Sequence, residues 1–114
     1  MAETADLSAE DAKLFTLARA ALARLGVPEA AAVRDDTGRT YVAGPVALPS
    51  LALSALQSVV AVAVASGATK LEAAVLLGPD EVDAAGSASV RDLLIPGGDL
   101  FLGDRAGAMR SRMP

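Results

Sequence analysis

From Thr40 through Thr69 this chain carries no charged side chain, and whatever fold it adopts must hide that run. A membrane is one way to hide it. Pro45 and Pro49 break the first third, which leaves Ser50 to Ser66 as the candidate helix. That segment falls short of a bilayer span, which needs about 20 predominantly apolar residues, and it carries Ser54, Gln57 and Ser58. The reading that fits is a core helix, apolar almost all round and therefore covered on several sides, with Gly67 as its C-cap. An aspartate at Val60 or Val64 should then bury an unpaired charge and cost several kcal/mol. The Val-Ala alternation from Val59 to Ala65 also suits a strand, but the length and Gly67 favour helix.

The residues are 53% hydrophobic, yet only Phe15, Tyr41 and Phe101 are aromatic. Alanine, valine and leucine must fill the core, and such small side chains let helices and sheet approach closely. A chain of 114 residues fits one compact domain, residues 1–114, that buries roughly two-thirds of its unfolded surface. The expectation for residues 1–7 and 105–114 is flexible termini.

There is no histidine and no cysteine. That removes zinc sites of the usual nitrogen and sulfur kind, cysteine nucleophiles and the Ser-His-Asp triad. No metal or other cofactor is expected. The net charge of −4 argues against nucleic-acid binding, which rests on neutralising phosphates. The tail, with Arg105, Arg110 and Arg112 against Asp104, reads as a frayed end or a docking arm. Glu3, Asp6, Glu10 and Asp11 near the start exclude a signal peptide at this N-terminus, and with no span the expected location is cytoplasmic.

Ser8, with acidic Asp11 three positions on, opens a first helix. Leu14, Leu17, Ala18, Ala21, Leu22 and Leu25 line one face of it, Lys13, Arg19 and Arg24 occupy the other, and Gly26 and Pro28 end it. Ala30 to Arg34 and Arg39 to Ala43 read as a hairpin turning at Asp36 to Gly38, closed by Gly44-Pro45. After the uncharged helix, Lys70 to Leu77 fits a central strand. Ser87 or Ser89 caps a short helix through Leu94, ended by Pro96-Gly97-Gly98, and Asp99 to Gly103 is a last strand. The order is α-β-β-α-β-α-β, an α/β fold with a sheet covered on both faces.

That order, with Val27-Pro28-Glu29-Ala30-Ala31-Ala32, Thr37 to Gly44, the helix at Ser54 and Gly86-Ser87-Ala88-Ser89-Val90-Arg91, resembles the small cytidine deaminase family from about Leu14 to Leu102. The resemblance implies a three-layer α-β-α sandwich and, in the family, a zinc-activated water worked by a glutamate. The family's Cys/His-Ala-Glu would fall on Ser54-Ala55-Leu56, and its Pro-Cys-x-x-Cys-Arg on Gly86 to Arg91. The ligand positions then become Ser54, Ser87 and Val90, and the glutamate becomes Leu56. A slip of two residues puts Leu56-Gln57-Ser58 at the first motif and restores neither ligand nor acid. The ribose-holding Asn-x-Glu falls on Pro45-Val46-Ala47, and the Phe ahead of the first strand on Val27.

The expectation is therefore a catalytically inactive, deaminase-like protein, not an enzyme, acting as a structural or interaction module. An alternative is a nucleoside or other small-molecule sensor using a remnant pocket of Val27, Pro45, Ala47, Ser54, Leu56 and Ser87. A third is a genuine deaminase whose residues lie elsewhere. Family resemblance and the uncharged surface imply a homo-oligomer, dimer or tetramer, with Pro45 to Leu56 at the contact; a hetero-complex is the competitor.

The other chemical candidates reduce to local structure. Asp35-Asp36 and Asp80, Glu81 and Asp83 lack a Ca²⁺-loop pattern and read as solvated loops. Gly97-Gly98-Asp99 is turn chemistry, Ser54, Ser58, Ser87 and Ser89 are caps and packing residues, and Arg91 is a structural ion-pair partner.

Overall fold

Three aliphatic segments, Ala30–Asp35 (β1), Leu71–Leu77 (β5) and Leu94–Gly103 (β6), form the centre of a five-stranded sheet in the computed structural model, which describes residues 7–114. The sheet order is β2-β1-β5-β6-β7, with β2 at Thr40–Ala43 and β7 at Met109–Met113. Only β5 and β6 run parallel. Helix α1 (Ala9–Leu25) covers one face, and α2 (Ala55–Ala65) and α3 (Ala84–Arg91) cover the other.

Period-two alternation sorts the strands between these layers. Ala30, Ala32, Ala73, Val75, Leu77 and Phe101 pack with Leu14, Phe15, Ala18, Ala21 and Leu22 of α1. Ala31, Val33, Ala74, Leu76, Leu100 and Leu102 pack with Ala55, Leu56, Val59, Ala63 and Val90 on the other side. Phe15 and Phe101 meet edge to face at 5.6 Å. This is the expected α/β sandwich.

Helix α1 begins and ends where its sequence indicates. Ser8 Oγ accepts from the Asp11 N–H at 3.0 Å, and Gly26 closes the helix at φ 63°. Leu25, expected on the core face, is exposed. Asp11 and Glu72 hold Arg34 of β1 at 3.1 and 2.9 Å. Burial works against the guanidinium charge, but hydrogen bonds to Glu72 and then Asp11 win and raise its pKa.

The expected hairpin is β1–β2, in register from Ala31↔Ala43 to Arg34↔Thr40. Its turn is built around Asp35, whose carboxylate accepts from the Thr37 and Arg39 N–H groups, the Thr37 hydroxyl and the Tyr41 hydroxyl. Burial pushes the carboxyl pKa up, but the hydrogen bonds, led by the Thr37 hydroxyl, outweigh it and hold the group below its usual range. A folded pKa below the unfolded one means this stabilisation is complete above the unfolded pKa and is lost as pH falls through the folded value. Asp35→Asn should flatten the acid limb of a melting-temperature-versus-pH curve; an unchanged limb would place the acid sensitivity elsewhere.

Several expectations are corrected. The helix expected from Ser50 to Ser66 starts only at Ala55, and the residues before it form a separate hairpin, Val46–Leu48 (β3) with Leu51–Leu53 (β4). Ser54 and Gln57 make a reciprocal capping box, which fixes the start more strongly than Ser50 does. Nor is α2 buried all round: Val62 is 43% and Val64 49% exposed, and Val60 is only half-buried. An aspartate at Val60 or Val64 would therefore not sit in the core of one subunit.

Helix α3 is capped by Asp83, not by Ser87 or Ser89, and ends at Arg91 rather than Leu94. The strand expected from Asp99 to Gly103 is β6 and begins at Leu94; the register jumps from Leu71↔Leu94 to Ala73↔Asp99, and Pro96-Gly97-Gly98 bulges out of the ladder. Residues 105–114 are not a loose tail. Met109–Met113 pairs antiparallel with β6, Arg110 bonds Asp80, and Arg112 bonds Asp99 and lies 5.2 Å above the Phe101 ring. The observed order is thus α-β-β-β-β-α-β-α-β-β. Of the start expected to be flexible, residues 1–6 lie outside the described residues, and Leu7 packs against the α1-side core.

Candidate functional site

Helices α2 and α3 both begin near the carboxyl ends of the parallel pair β5–β6, the end at which open α/β sheets hold ligands. At the head of α2, Ser54 Oγ accepts from the Gln57 N–H at 3.2 Å, and Gln57 Oε1 accepts from the Ser54 N–H at 3.0 Å. The next N–H, of Ala55, donates to Glu29 Oε2 at 2.7 Å. A carboxylate at a helix N-terminus is favoured both by the free N–H and by the helix dipole. At the head of α3, Asp83 Oδ2 accepts from the Gly86 N–H at 2.7 Å.

The two heads touch. A Cβ added at Gly86 would stand 2.7 Å from Leu56 Cβ and 2.6 Å from Asp83 Oδ2. Only glycine fits there, and the closeness of the two first turns depends on it. Leu56 is 0% exposed, and so is Val90, one turn beyond Gly86; both belong to the core cluster shared by α2, α3 and the sheet.

Of the residues singled out from sequence, the structure thus brings Leu56 against Gly86, next to Ser87, while Ser54 caps α2. Val27 lies beside Gly44, next to Pro45. Val27, Pro45, Ser54 and Ser87 are half-buried and Ala47 is exposed. None of the six remnant-pocket positions lines either of two surface hollows. One, of about 220 Å³, lies between α1 and the β6–β7 turn and includes Phe15, Arg19 and Met109. The other, of about 290 Å³, lies at Lys70 and Leu93 to Pro96.

The acidic candidates serve the fold. Asp35 staples its turn, Asp80 pairs with Arg110, and Asp83 caps α3. Arg91 donates from Nη1 to the backbone oxygen of Pro114 and meets no Asp or Glu side chain among the described residues. Sequence reading missed the helix-head roles of Glu29 and Asp83. Asp83 had a signal, an Asx residue three before the small Gly86. Glu29 had none, since its partner is 26 residues away.

The residues at the two heads do not fit a zinc ion. They offer hydroxyls, one amide and the Glu29 and Asp83 carboxylates, each already accepting from a helix N–H and with no imidazole or thiolate beside it, where zinc takes imidazole and thiolate ligands alongside carboxylate. Among the described residues no group of three or more His, Cys, Asp or Glu could hold a metal ion. Two buried oxygens there lack partners, Ser58 Oγ on α2 and Asp83 Oδ1.

A family model described as cytidine deaminase-like matches residues 7–107. Among solved structures, the chain is similar to the crystal structure of cytidine deaminase from Mycobacterium leprae, with a TM-score of 0.65 and 21% identity over 77% of this chain and 83% of that one. The comparison with curated proteins found no match. The family match extends from the start of α1 to the β6–β7 turn and takes in both helix heads, so the chain belongs to the cytidine deaminase-like family.

Proposed function

We propose that this chain is a catalytically inactive cytidine deaminase-like protein that serves as a structural or interaction module. The observation that carries the reading is Leu56, fully buried and packed against Gly86 where the family's motif at the head of its central helix would fall. An aliphatic side chain there neither binds a metal nor moves a proton. In the other register Ser58 takes the acid's place, and a serine hydroxyl, neutral at pH 7, does not do a carboxylate's work.

The module's contact surface is the uncharged one. Leu48 is 60% and Leu51 49% exposed on the β3–β4 hairpin, and Val62 and Val64 face outward from α2. A two-stranded hairpin with outward leucines is marginal in water by itself, and such an apolar surface fits a homo-oligomer, dimer or tetramer, over a hetero-complex. No helix among the described residues is long and apolar enough to cross a membrane.

Purified protein supplied with zinc and cytidine should release no ammonia, and cytidine should not raise its melting temperature. Ammonia release would overturn the reading. A melting shift without turnover would instead favour the nucleoside sensor, because a ligand that binds only the folded state stabilises it.

A further inference from the structure

The residues between α1 and β1 are held from three directions. Arg105, on the β6–β7 turn, donates from Nη1 to the Val27 carbonyl at 3.1 Å and the Pro28 carbonyl at 3.2 Å. Gly78, just after β5, lies so close that a Cβ there would collide with the Pro28 carbonyl oxygen. Glu29 then reaches across to the Ala55 N–H at the head of α2, at 2.7 Å. These contacts fall at one edge of the molecule, where β1 starts beside the end of β5 (Ala30↔Leu77) and β5 ends beside the end of β6 (Leu77↔Gly103).

We infer that Val27–Glu29 is a strap latched over the carboxyl end of the sheet, and that the Glu29 carboxylate is an internal ligand occupying the anion-binding head of α2. With Ser54 and Gln57 satisfying each other's N–H groups, the Ala55 and Leu56 N–H groups are the first-turn donors left for an anion, and Glu29 takes that of Ala55. An external carboxylate meets a filled position. Removing the latch frees the Ala55 N–H at the positive end of the helix dipole and creates a site for a small carboxylate. The inference concerns the head of α2 and stands whether or not the protein deaminates cytidine.

The test compares the full-length protein with Glu29→Ala and Glu29→Gln in formate, against chloride at the same ionic strength. Glu29→Ala should melt roughly 5 °C below the parent, and formate should restore part of that loss while leaving the parent unmoved. Glu29→Gln, which keeps an acceptor oxygen without the charge, should lie between the two. Amide hydrogen exchange at Ala55 should quicken in Glu29→Ala and slow again with formate, a readout that a purely structural loss does not give. A Glu29→Ala variant as stable as the parent would overturn the inference, and so would one whose loss and Ala55 exchange formate leaves unchanged.

Discussion

A glutamate in place of Leu56 should unfold this chain. Leu56→Glu removes a leucine that is 0% exposed, and losing such a side chain costs about 2–5 kcal/mol. It also buries a carboxyl group among Ala55, Val59, Val90 and the sheet, with Gly86 too close to leave room for water. The sum should reach at least about 4 kcal/mol, a large share of the roughly 5–15 kcal/mol that a domain has. Denaturant melts followed by circular dichroism should show the cooperative transition shifted far down or absent. Leu56→Met, nearly volume-conserving, should cost less than about 1.5 kcal/mol. A Leu56→Glu protein that melts like the parent would mean that position 56 faces an open pocket.

The two faces of α2 should respond in opposite ways to the same substitution. Val59 is fully buried, so Val59→Asp should cost several kcal/mol and leave little folded protein. Val64 is half exposed in the subunit, so Val64→Asp should shift monomer stability by no more than about 0.5 kcal/mol. Its effect should fall on association. Light scattering at tens of micromolar should find the parent as a dimer or tetramer and Val64→Asp as a smaller species. Equal destabilisation by both substitutions would mean that α2 is enclosed within one subunit. A parent that is monomeric from the outset would show that its outward valines and leucines do not mediate self-association.

What the sequence made legible was local. Helix α1, the β1–β2 hairpin and β5 each carry their own signals: the Ser8 cap and Gly26 stop, the Asp35 turn, and a run of aliphatic residues before Gly78-Pro79. The β3–β4 hairpin did not, because Pro45 and Pro49 read as breaks, and Leu51, Ala52 and Leu53 suit a strand or a helix equally well. What separates them is the Ser54–Gln57 capping box one residue later. Strand β7 was hidden because its arginines read as a solvated tail. Their partners Asp80 and Asp99 lie 30 and 13 residues away, and only the fold brings them together.

At the proposed site, order and spacing alone placed the family's motif on Ser54 to Leu56 and Gly86 to Arg91, and of those positions Leu56 and Val90 are buried core residues. The cap of α3 at Asp83 carried a signal that did not single it out, because serines downstream are equally acceptable caps by type. Glu29 was not legible: its role depends on a long-range approach between the start of β1 and the head of α2, which no local pattern encodes.

Metal content tests the central reading most directly. Protein purified without chelator, then dialysed against zinc and against zinc-free buffer, should contain far less than one zinc per chain by elemental analysis. Leu56, Gly86 and Val90 leave the two helix heads in contact and without nitrogen or sulfur ligands. One tightly held zinc per chain that survives dialysis would contradict it.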